Sequence, residues 1–201
     1  MTQIKICGLR NSNDIEIVNK YLPDYIGFVF AESKRQVSIA TAALLAANLD
    51  PRIKKVGVFV NPSKEFVLEA ISSCGLDVLQ FHGEESPSFC RQFQQTVWKG
   101  IRVKDMGSIE LAKSYSQVDG LLFDAFSNKA HGGTGEAFEW SLINELTTDL
   151  DLIIAGGINN NNINECIENT QPDIIDVSSS VENAEGKDAT KVKEIINLVR
   201  C

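Results

Sequence analysis

The sequence predicts an α/β fold, a single (β/α)8 TIM barrel built on eight parallel strands. Eight short β-branched or apolar runs recur along 201 residues, and most are separated by segments of helical periodicity. The connections are too long for hairpins and long enough for crossover helices, so the strands should run parallel. The chain is close to the lower limit of about 200 residues for this barrel, and no linker divides it. We therefore expect residues 1–201 to form one domain.

The predicted strands are residues 4–7, 25–30, 55–60, 78–82, 97–103, 120–124, 152–155 and 174–177. Helices should start after Ser38, after Asn61 and after Ser86, with Asn61 and Ser86 as N-caps and a proline at the first helical position. The tract 159–162 is predicted to be a polar loop leading into a helix N-cap. An open doubly wound sheet is disfavoured, because no GxGxxG motif follows the first strand.

Composition narrows the classes of partner. A net charge of −8 argues against nucleic acid, whose binding depends on Lys and Arg that neutralise phosphates. A small phosphorylated metabolite can still bind through backbone N–H groups and one or two arginines. Five cysteines without CxxC spacing indicate reduced thiols in the cytoplasm. The sequence shows no secretion signal and no apolar run long enough to span a membrane, so we expect neither secretion nor membrane insertion.

The alternation of side chains along each strand predicts which residues face the barrel interior. The aliphatic neighbours should pack on helices, which turns these polar or sulfur-containing side chains inward: Lys5, Cys7, Gln80, His82, Asp124, Asp176 and Ser178. Four of them, Cys7, His82, Asp124 and Ser178, end strands, and that end of a TIM barrel holds the active site. The two deeper charges, on Lys5 and Asp176, are expected to form a buried ion pair.

Small residues cluster in three of the later loops, at 132–135, at Gly156-Gly157 and at 178–180. Backbone N–H groups can converge on an anion there, and the loops after strands seven and eight are the usual phosphate site of this fold. A single Gly-Gly pair is more often an ordinary tight turn. Two such segments in those two loops together predict a phosphate site.

Eight motifs occur in an order that resembles the phosphoribosylanthranilate isomerases of tryptophan biosynthesis. They are Lys5-Ile6-Cys7-Gly8, Gly27-Phe28-Val29-Phe30, Ser33-Lys34-Arg35-Gln36-Val37-Ser38, Gln80-Phe81-His82-Gly83, Phe123-Asp124, Gly132-Gly133-Thr134-Gly135, Ala155-Gly156-Gly157-Ile158 and Asp176-Val177-Ser178-Ser179. The resemblance runs from residue 4 to the final helix. It implies an Amadori rearrangement of N-(5-phosphoribosyl)anthranilate to 1-(2-carboxyphenylamino)-1-deoxyribulose 5-phosphate, the third step from chorismate to tryptophan.

The resemblance also implies residue roles. Cys7 is the expected general base, Asp124 the general acid and Arg35 the contact for the anthranilate carboxylate. The remaining substrate-binding residues are expected to be His82, Gly133, Gly156, Gly157, Ser178 and Ser179. No metal or organic cofactor is expected, because a protonated imine can itself accept the electron pair.

The residue types suit this chemistry, since one group must protonate the ring oxygen and another must remove the proton at the sugar C2. Each has an ordinary alternative: a strand cysteine is usually structural, a strand-end aspartate often caps a loop, and a strand-end histidine often bonds its neighbours. A thiol base near neutral pH favours a stabilised thiolate, and we expect Lys5 to supply part of the positive field. Cys74, Cys90, Cys166 and Cys201 are expected to have no function.

The sequence departs from the family at Ser180, where glycine is usual, so either the conformation of that phosphate loop or its need for glycine is in question. The glycine-rich loop 125–136 is a candidate lid over the substrate. Two rivals remain. The first is the histidine-pathway isomerase, which catalyses the same rearrangement with paired aspartates; Cys7 in place of an aspartate argues against it. The second is a barrel that binds a phosphosugar without turnover. We expect a monomer or a homodimer, and the sequence does not distinguish the two.

Overall fold

Eight parallel strands close into a barrel in the computed structural model, which describes residues 1–125, 140–146 and 148–200. Each strand pairs with the next, and the last returns to pair with the first. The strands are β1 Gln3–Cys7, β2 Tyr25–Val29, β3 Lys54–Phe59, β4 Val78–Phe81, β5 Thr96–Val103, β6 Gly120–Ala125, β7 Asp151–Ala155 and β8 Ile174–Val177. The predicted (β/α)8 architecture is confirmed, and every predicted strand boundary agrees to within one residue.

Helices follow most of the strands and cover the outside of the barrel. They are α1 Ser12–Tyr21, α2 Ile39–Ala46, α3 Lys64–Cys74, α4 Pro87–Cys90, α5 Met106–Lys113, α6 Ile163–Thr170 and α7 Ala189–Arg200. Short 3-10 helices lie at Trp140–Glu145 and Ser179–Val181. Between β6 and β7 the described residues thus contain a 3-10 helix where a regular crossover helix is the rule for this fold.

The helix starts test the predicted caps. Ser38 and Ser86 cap α2 and α4 as expected, each accepting a hydrogen bond from a backbone N–H of the first turn. The prediction for Asn61 is wrong, because α3 begins after Ser63, whose side chain accepts from the Phe66 N–H. Asn61 instead adopts a left-handed conformation with φ of 48°, and its backbone N–H donates to Glu85. A bond to the following loop therefore replaces the predicted cap.

The hydrophobic core has two parts, separated by the strands as the alternation predicts. Ile4 and Ile6 of β1 face the helices, whereas Cys7 faces the interior of the barrel. The interior is filled in its lower part by Tyr25 and Trp98, whose rings meet edge to face with centroids 5.0 Å apart. Polar side chains fill the part above them. No helix in the described part of the chain is long and apolar enough to cross a bilayer.

Candidate active site

A cavity of about 480 Å³ opens at the carboxyl ends of the strands. Eight of the nine predicted site residues line it: Cys7, Arg35, His82, Asp124, Gly156, Gly157, Ser178 and Ser179. The ninth, Gly133, lies outside the described residues, as do most of loop 125–136 and Cys201. Parallel pairing of the strands brings these positions to one rim, although they lie far apart in sequence.

A buried ion pair forms the floor of this cavity. Lys5 Nζ lies 2.7 Å from Asp176 Oδ2 and donates a second hydrogen bond to Gln80 Oε1 at 2.9 Å. Burial alone would lower the pKa of Lys5, but Asp176 and Cys7 outweigh it and raise that pKa, so the amine stays protonated. The predicted pair is confirmed. Asp176 Oδ1 is buried and has no hydrogen-bond partner among the described residues, which leaves an acceptor beside the cavity.

Hydrogen bonds lead from this pair to the predicted acid. Because Lys5 can only donate, the oxygen of the Gln80 amide faces it, and the amide nitrogen meets His82 Nδ1 at 3.1 Å. His82 Nδ1 therefore accepts, which assigns the proton to Nε2. That nitrogen lies 3.2 Å from Asp124 Oδ2. His82 thus contacts Asp124 directly, and its tautomer is set by Lys5 through Gln80.

A missing side chain makes room for the imidazole. Gly100 of β5 lies against His82, and a Cβ atom at that position would fall 2.6 Å from Nδ1. Real Cβ atoms do not approach other atoms so closely, so any larger residue would push the ring away from Asp124.

Cys7 is the last residue of β1, pairs with Gly27 of β2 and is 8% exposed. Burial raises the pKa of its thiol above the ordinary value of 9.0, although Lys5 acts in the opposite direction. The expected positive field of Lys5 is therefore present, but the raised pKa does not indicate the stabilised thiolate that we expected in the substrate-free protein. The cost of burying the anion exceeds the attraction of the amine.

Arg35 reaches the cavity from the loop after β2, but its guanidinium is already engaged. Nε and Nη2 donate to the two carboxylate oxygens of Glu182 at 2.7 and 2.8 Å. Lys187 Nζ donates to the same carboxylate at 2.8 Å. Burial opposes the charge on Glu182, but the bonds from Arg35 and Lys187 prevail and lower its pKa to about 2.

The two candidate phosphate loops have different supports. Gly156 and Gly157 turn the chain after β7 with φ of 81° and 70°, which other residues rarely adopt. The side chains of Asn159 and Asn162 both donate to the Gly157 carbonyl. Asn162 stands at the N-cap position of α6 as predicted, but its side-chain oxygen binds the Asn159 N–H rather than the helix. The asparagine tract therefore stabilises this turn by hydrogen bonds to its backbone.

The loop after β8 is linked to β1 by Ser178, whose hydroxyl donates to the Cys7 carbonyl at 3.0 Å. Ser180, the departure from the family pattern, lies within the 3-10 turn Ser179–Val181. Its hydroxyl oxygen is buried with no hydrogen-bond partner among the described residues. Serine is accommodated there, but the protein offers its hydroxyl no bond.

Sequence reasoning missed three residues near the site. Glu182 and Lys187 lie in the loop before α7, where no alternation reports which way a side chain points. Arg102 lines the cavity as the register partner of Asp124. The alternation of side chains along β5 places Arg102 on the inner face, and this pattern could have predicted its position.

Other groups of reactive side chains lie elsewhere. Cys74, Cys90 and Cys166 are buried in α3, α4 and α6 and do not line this cavity. Over residues 1–125, 140–146 and 148–200, no three His, Cys, Asp or Glu side chains are grouped so that they could hold a metal ion.

Comparison with known proteins gives the family. A sequence model described as N-(5'-phosphoribosyl)anthranilate (PRA) isomerase matches residues 4–198. The chain belongs to this family. It is similar to the N-(5'-phosphoribosyl)anthranilate isomerase of Thermoanaerobacter pseudethanolicus, with 44% identity over 201 residues that span 100% of this chain and 98% of the relative.

Solved structures of phosphoribosylanthranilate isomerases have the same fold. The enzyme from Thermotoga maritima superposes with a TM-score of 0.90 at 33% identity, covering 100% of this chain and 99% of that one. A phosphoribosylanthranilate isomerase in complex with reduced 1-(o-carboxyphenylamino)-1-deoxyribulose 5-phosphate superposes with a TM-score of 0.87 at 32% identity, with the same coverage of both chains.

Proposed function

We propose that this protein converts N-(5'-phosphoribosyl)anthranilate into 1-(2-carboxyphenylamino)-1-deoxyribulose 5-phosphate, the isomerase step of tryptophan biosynthesis. Membership of the family supports the reaction. The observation that carries the mechanism is that Cys7 and Asp124 line one cavity, whose wall also includes the loops after β7 and β8. One acid and one base on a shared cavity are what an aldose-to-ketose rearrangement requires.

Asp124 acts first, as the general acid. It gives its proton to the ribose ring oxygen while the C1–O bond breaks, and the anilino nitrogen lone pair forms a C1=N bond that carries a positive charge. His82 Nε2 is within hydrogen-bond distance of Oδ2, so Oδ1 is the oxygen left to carry the proton. After transfer, the same N–H stabilises the carboxylate that remains.

Cys7 acts second, as the general base. Its thiolate removes the proton from C2, the electron pair of that C–H bond forms C1=C2, and the C1=N pair returns to nitrogen. The resulting enaminol then tautomerises to the ketone. Burial raises the pKa of the thiol in the free protein, so Cys7 releases its proton to solvent only once the positive imine adds to the field of Lys5.

Binding is assigned to the two ends of the substrate. We place the phosphate against Gly156, Gly157, Ser178 and Ser179, where an acidic protein offers backbone N–H groups rather than a cationic patch. We place the anthranilate carboxylate on Arg35. The solved relative that holds a carboxyphenylamino ribulose phosphate supports a ligand with these two anionic groups.

Complementation tests the proposal. The gene should restore growth of a tryptophan auxotroph that lacks this isomerase, whereas Cys7→Ser and Asp124→Asn should not, at matched protein levels. Failure of the intact gene would overturn the proposed activity. Full rescue by both variants would overturn the assigned roles and support a barrel that binds a phosphosugar without turning it over.

A second assay separates the remaining rival. Purified protein should turn over phosphoribosylanthranilate far faster than the aminoaldose of the histidine pathway, because a single carboxyl and a thiol replace the paired aspartates of that enzyme. Equal rates would show a dual-substrate isomerase. We also propose that residues 1–201 act as one cytoplasmic domain, with monomer or homodimer to be decided by sedimentation.

A further inference from the structure

We propose that Glu182 is a positioning residue that orients Arg35 for the carboxylate of the substrate. The inference rests on the proposed function, which places that carboxylate on Arg35. Arg35 Nε and Nη2 donate to Glu182 at 2.7 and 2.8 Å, a paired geometry that fixes the plane of the guanidinium as well as its location. The side chains of Arg35 and Glu182 are only 19% and 11% exposed, so water competes little for these bonds.

The aliphatic stem of Arg35 is also confined, by the backbone at Gly8. Gly8 follows the base with a φ of 86°, and a Cβ atom at that position would collide with the Arg35 side chain. The backbone of the loop is also held, because the Arg35 N–H donates to Ser33 Oγ and Arg10 Nη1 donates to the Lys34 carbonyl. These contacts fix the aliphatic part of the Arg35 side chain, and the bonds to Glu182 fix the orientation of its guanidinium.

Glu182 is itself fixed to the candidate phosphate loop. Lys187 Nζ, whose side chain is fully buried, donates to Glu182 Oε1 at 2.8 Å and to the Ser178 carbonyl at 3.2 Å. The Lys187 backbone N–H donates to the buried carboxylate of Asp14 at 2.7 Å. These bonds connect the two proposed binding ends, so the separation between carboxylate and phosphate contacts is set by Lys187 and Glu182.

The donors that remain on Arg35 suit a second carboxylate. A guanidinium has five N–H groups, and Glu182 takes one from Nε and one from Nη2. The end formed by Nη1 and the second hydrogen of Nη2 is a further edge that matches a carboxylate in two-point contact. Glu182 thus holds one edge of the guanidinium, which leaves the other edge of Arg35 for a ligand in the cavity.

The role of Glu182 can be tested by measuring how two ligands, one with and one without the carboxylate, bind to wild type and to Glu182→Gln. Calorimetry would measure the binding of reduced 1-(o-carboxyphenylamino)-1-deoxyribulose 5-phosphate and of its phenylamino analogue without the carboxylate. Glu182→Gln should weaken the first by about tenfold or more, the loss expected for a misdirected charged hydrogen bond, and change the second by less than about twofold. Glu185→Gln, an exposed change in the same loop, should alter neither.

Three results would overturn the inference. Equal weakening of both ligands by Glu182→Gln would show general damage to the loop. Tighter binding of the carboxylated ligand would show that Glu182 competes with substrate instead of orienting Arg35. Unchanged binding of that ligand would show no role in recognition.

Arg35→Met separates this inference from the proposed function. If Arg35→Met weakens only the carboxylated ligand and Glu182→Gln weakens neither, Arg35 binds the carboxylate and only the positioning role of Glu182 fails. If Arg35→Met affects both ligands equally, the assignment of the carboxylate to Arg35 fails as well.

Discussion

The interior of the barrel and the layer between the barrel and its helices contain different kinds of side chain. The outer layer is aliphatic and aromatic almost throughout, with residues such as Ile4, Phe28 and Ile154 fully buried. The interior has a small apolar base around Trp98 and Tyr25, above which lies the Lys5–Asp176 pair. Charges in a dry interior cost free energy unless they are paired, and their pairing adds little stability over an apolar replacement. We therefore expect the outer layer to account for most of the stability and the polar interior to serve the proposed reaction.

The largest expected effect comes from breaking the interior pair. Lys5→Met leaves Asp176 buried without its partner and should reduce the free energy of unfolding by about 3–5 kcal/mol. The double variant Lys5→Met/Asp176→Leu should recover most of that stability yet remain inactive. Chemical denaturation and turnover assays on both variants check this. A stable and active double variant would show that the pair has no functional role.

The outer layer should behave in the opposite way. Ile4→Ala removes a fully buried side chain at the amino end of β1 and should cost about 2–5 kcal/mol of unfolding free energy, against about 0.5–1.5 kcal/mol for Ile4→Val. The folded fraction should keep wild-type kcat, because Ile4 lies at the end of β1 remote from the cavity. A fall in kcat larger than the unfolded fraction explains would contradict the hypothesis that the outer layer contributes to stability but not to the reaction.

A change near the acid should affect turnover more than stability. Gly100→Ala places a methyl group against His82 and should displace the ring from Asp124. We expect kcat to fall roughly tenfold with a smaller change in KM, since small misplacements of catalytic groups are costly. Gly107→Ala, at an exposed helical position outside the cavity, is the control. An unchanged kcat in Gly100→Ala would contradict the role assigned to His82.

The pH dependence of thiol alkylation tests the state of Cys7. Because burial raises the pKa of the thiol above 9.0, the thiolate fraction of the free protein should grow throughout the neutral and mildly alkaline range. We expect the rate at which iodoacetamide alkylates Cys7, measured against the background of Cys7→Ser, to rise with pH through neutrality without a plateau below pH 9. A plateau near neutral pH would instead show a preformed thiolate.

The smallest effect is expected at acid pH, in the network around Glu182. Its pKa is about 2 in the folded protein against an ordinary value of 4.5, so the unfolded chain binds more protons between these values. The stability contributed by Glu182 is complete above pH 4.5 and is lost as pH falls through about 2. The difference in unfolding free energy between wild type and Glu182→Gln should shrink over that window. Glu185→Gln is the control for removing a carboxylate from this loop. A difference between wild type and Glu182→Gln that stayed constant over this pH range would contradict the ion pair of Glu182 with Arg35 and Lys187.

The sequence was sufficient for features that repeat along the chain. Alternation along β1 and β8 placed Lys5 and Asp176 on the inner face, and the structure pairs them. The same reasoning brought Cys7 and Asp124 to one rim. A strand imposes a period of two on its side chains, so the face of each residue follows from its position.

Features set by single contacts in loops could not be predicted. The bond between Arg35 and Glu182 joins two loops separated by 147 residues, and neither has a regular period. The conformation of Asn61 depends on Glu85 in the next loop. The tautomer of His82 follows from the Gln80 amide, which only the three-dimensional position of Lys5 orients.

The pairing of β8 with β1 has a consequence for when the protein becomes active during its synthesis. The contacts that complete the cavity join the first and last strands: Lys5 and Asp176, and likewise Cys7 and Ser178, are 171 positions apart in the sequence. A nascent chain that has not yet emerged past β8 contains Cys7 and Asp124 but neither of these bonds. Contacts this distant in sequence form late and slowly in folding. Appearance of activity in a refolding or translation experiment would therefore report closure of the barrel between its first and last strands.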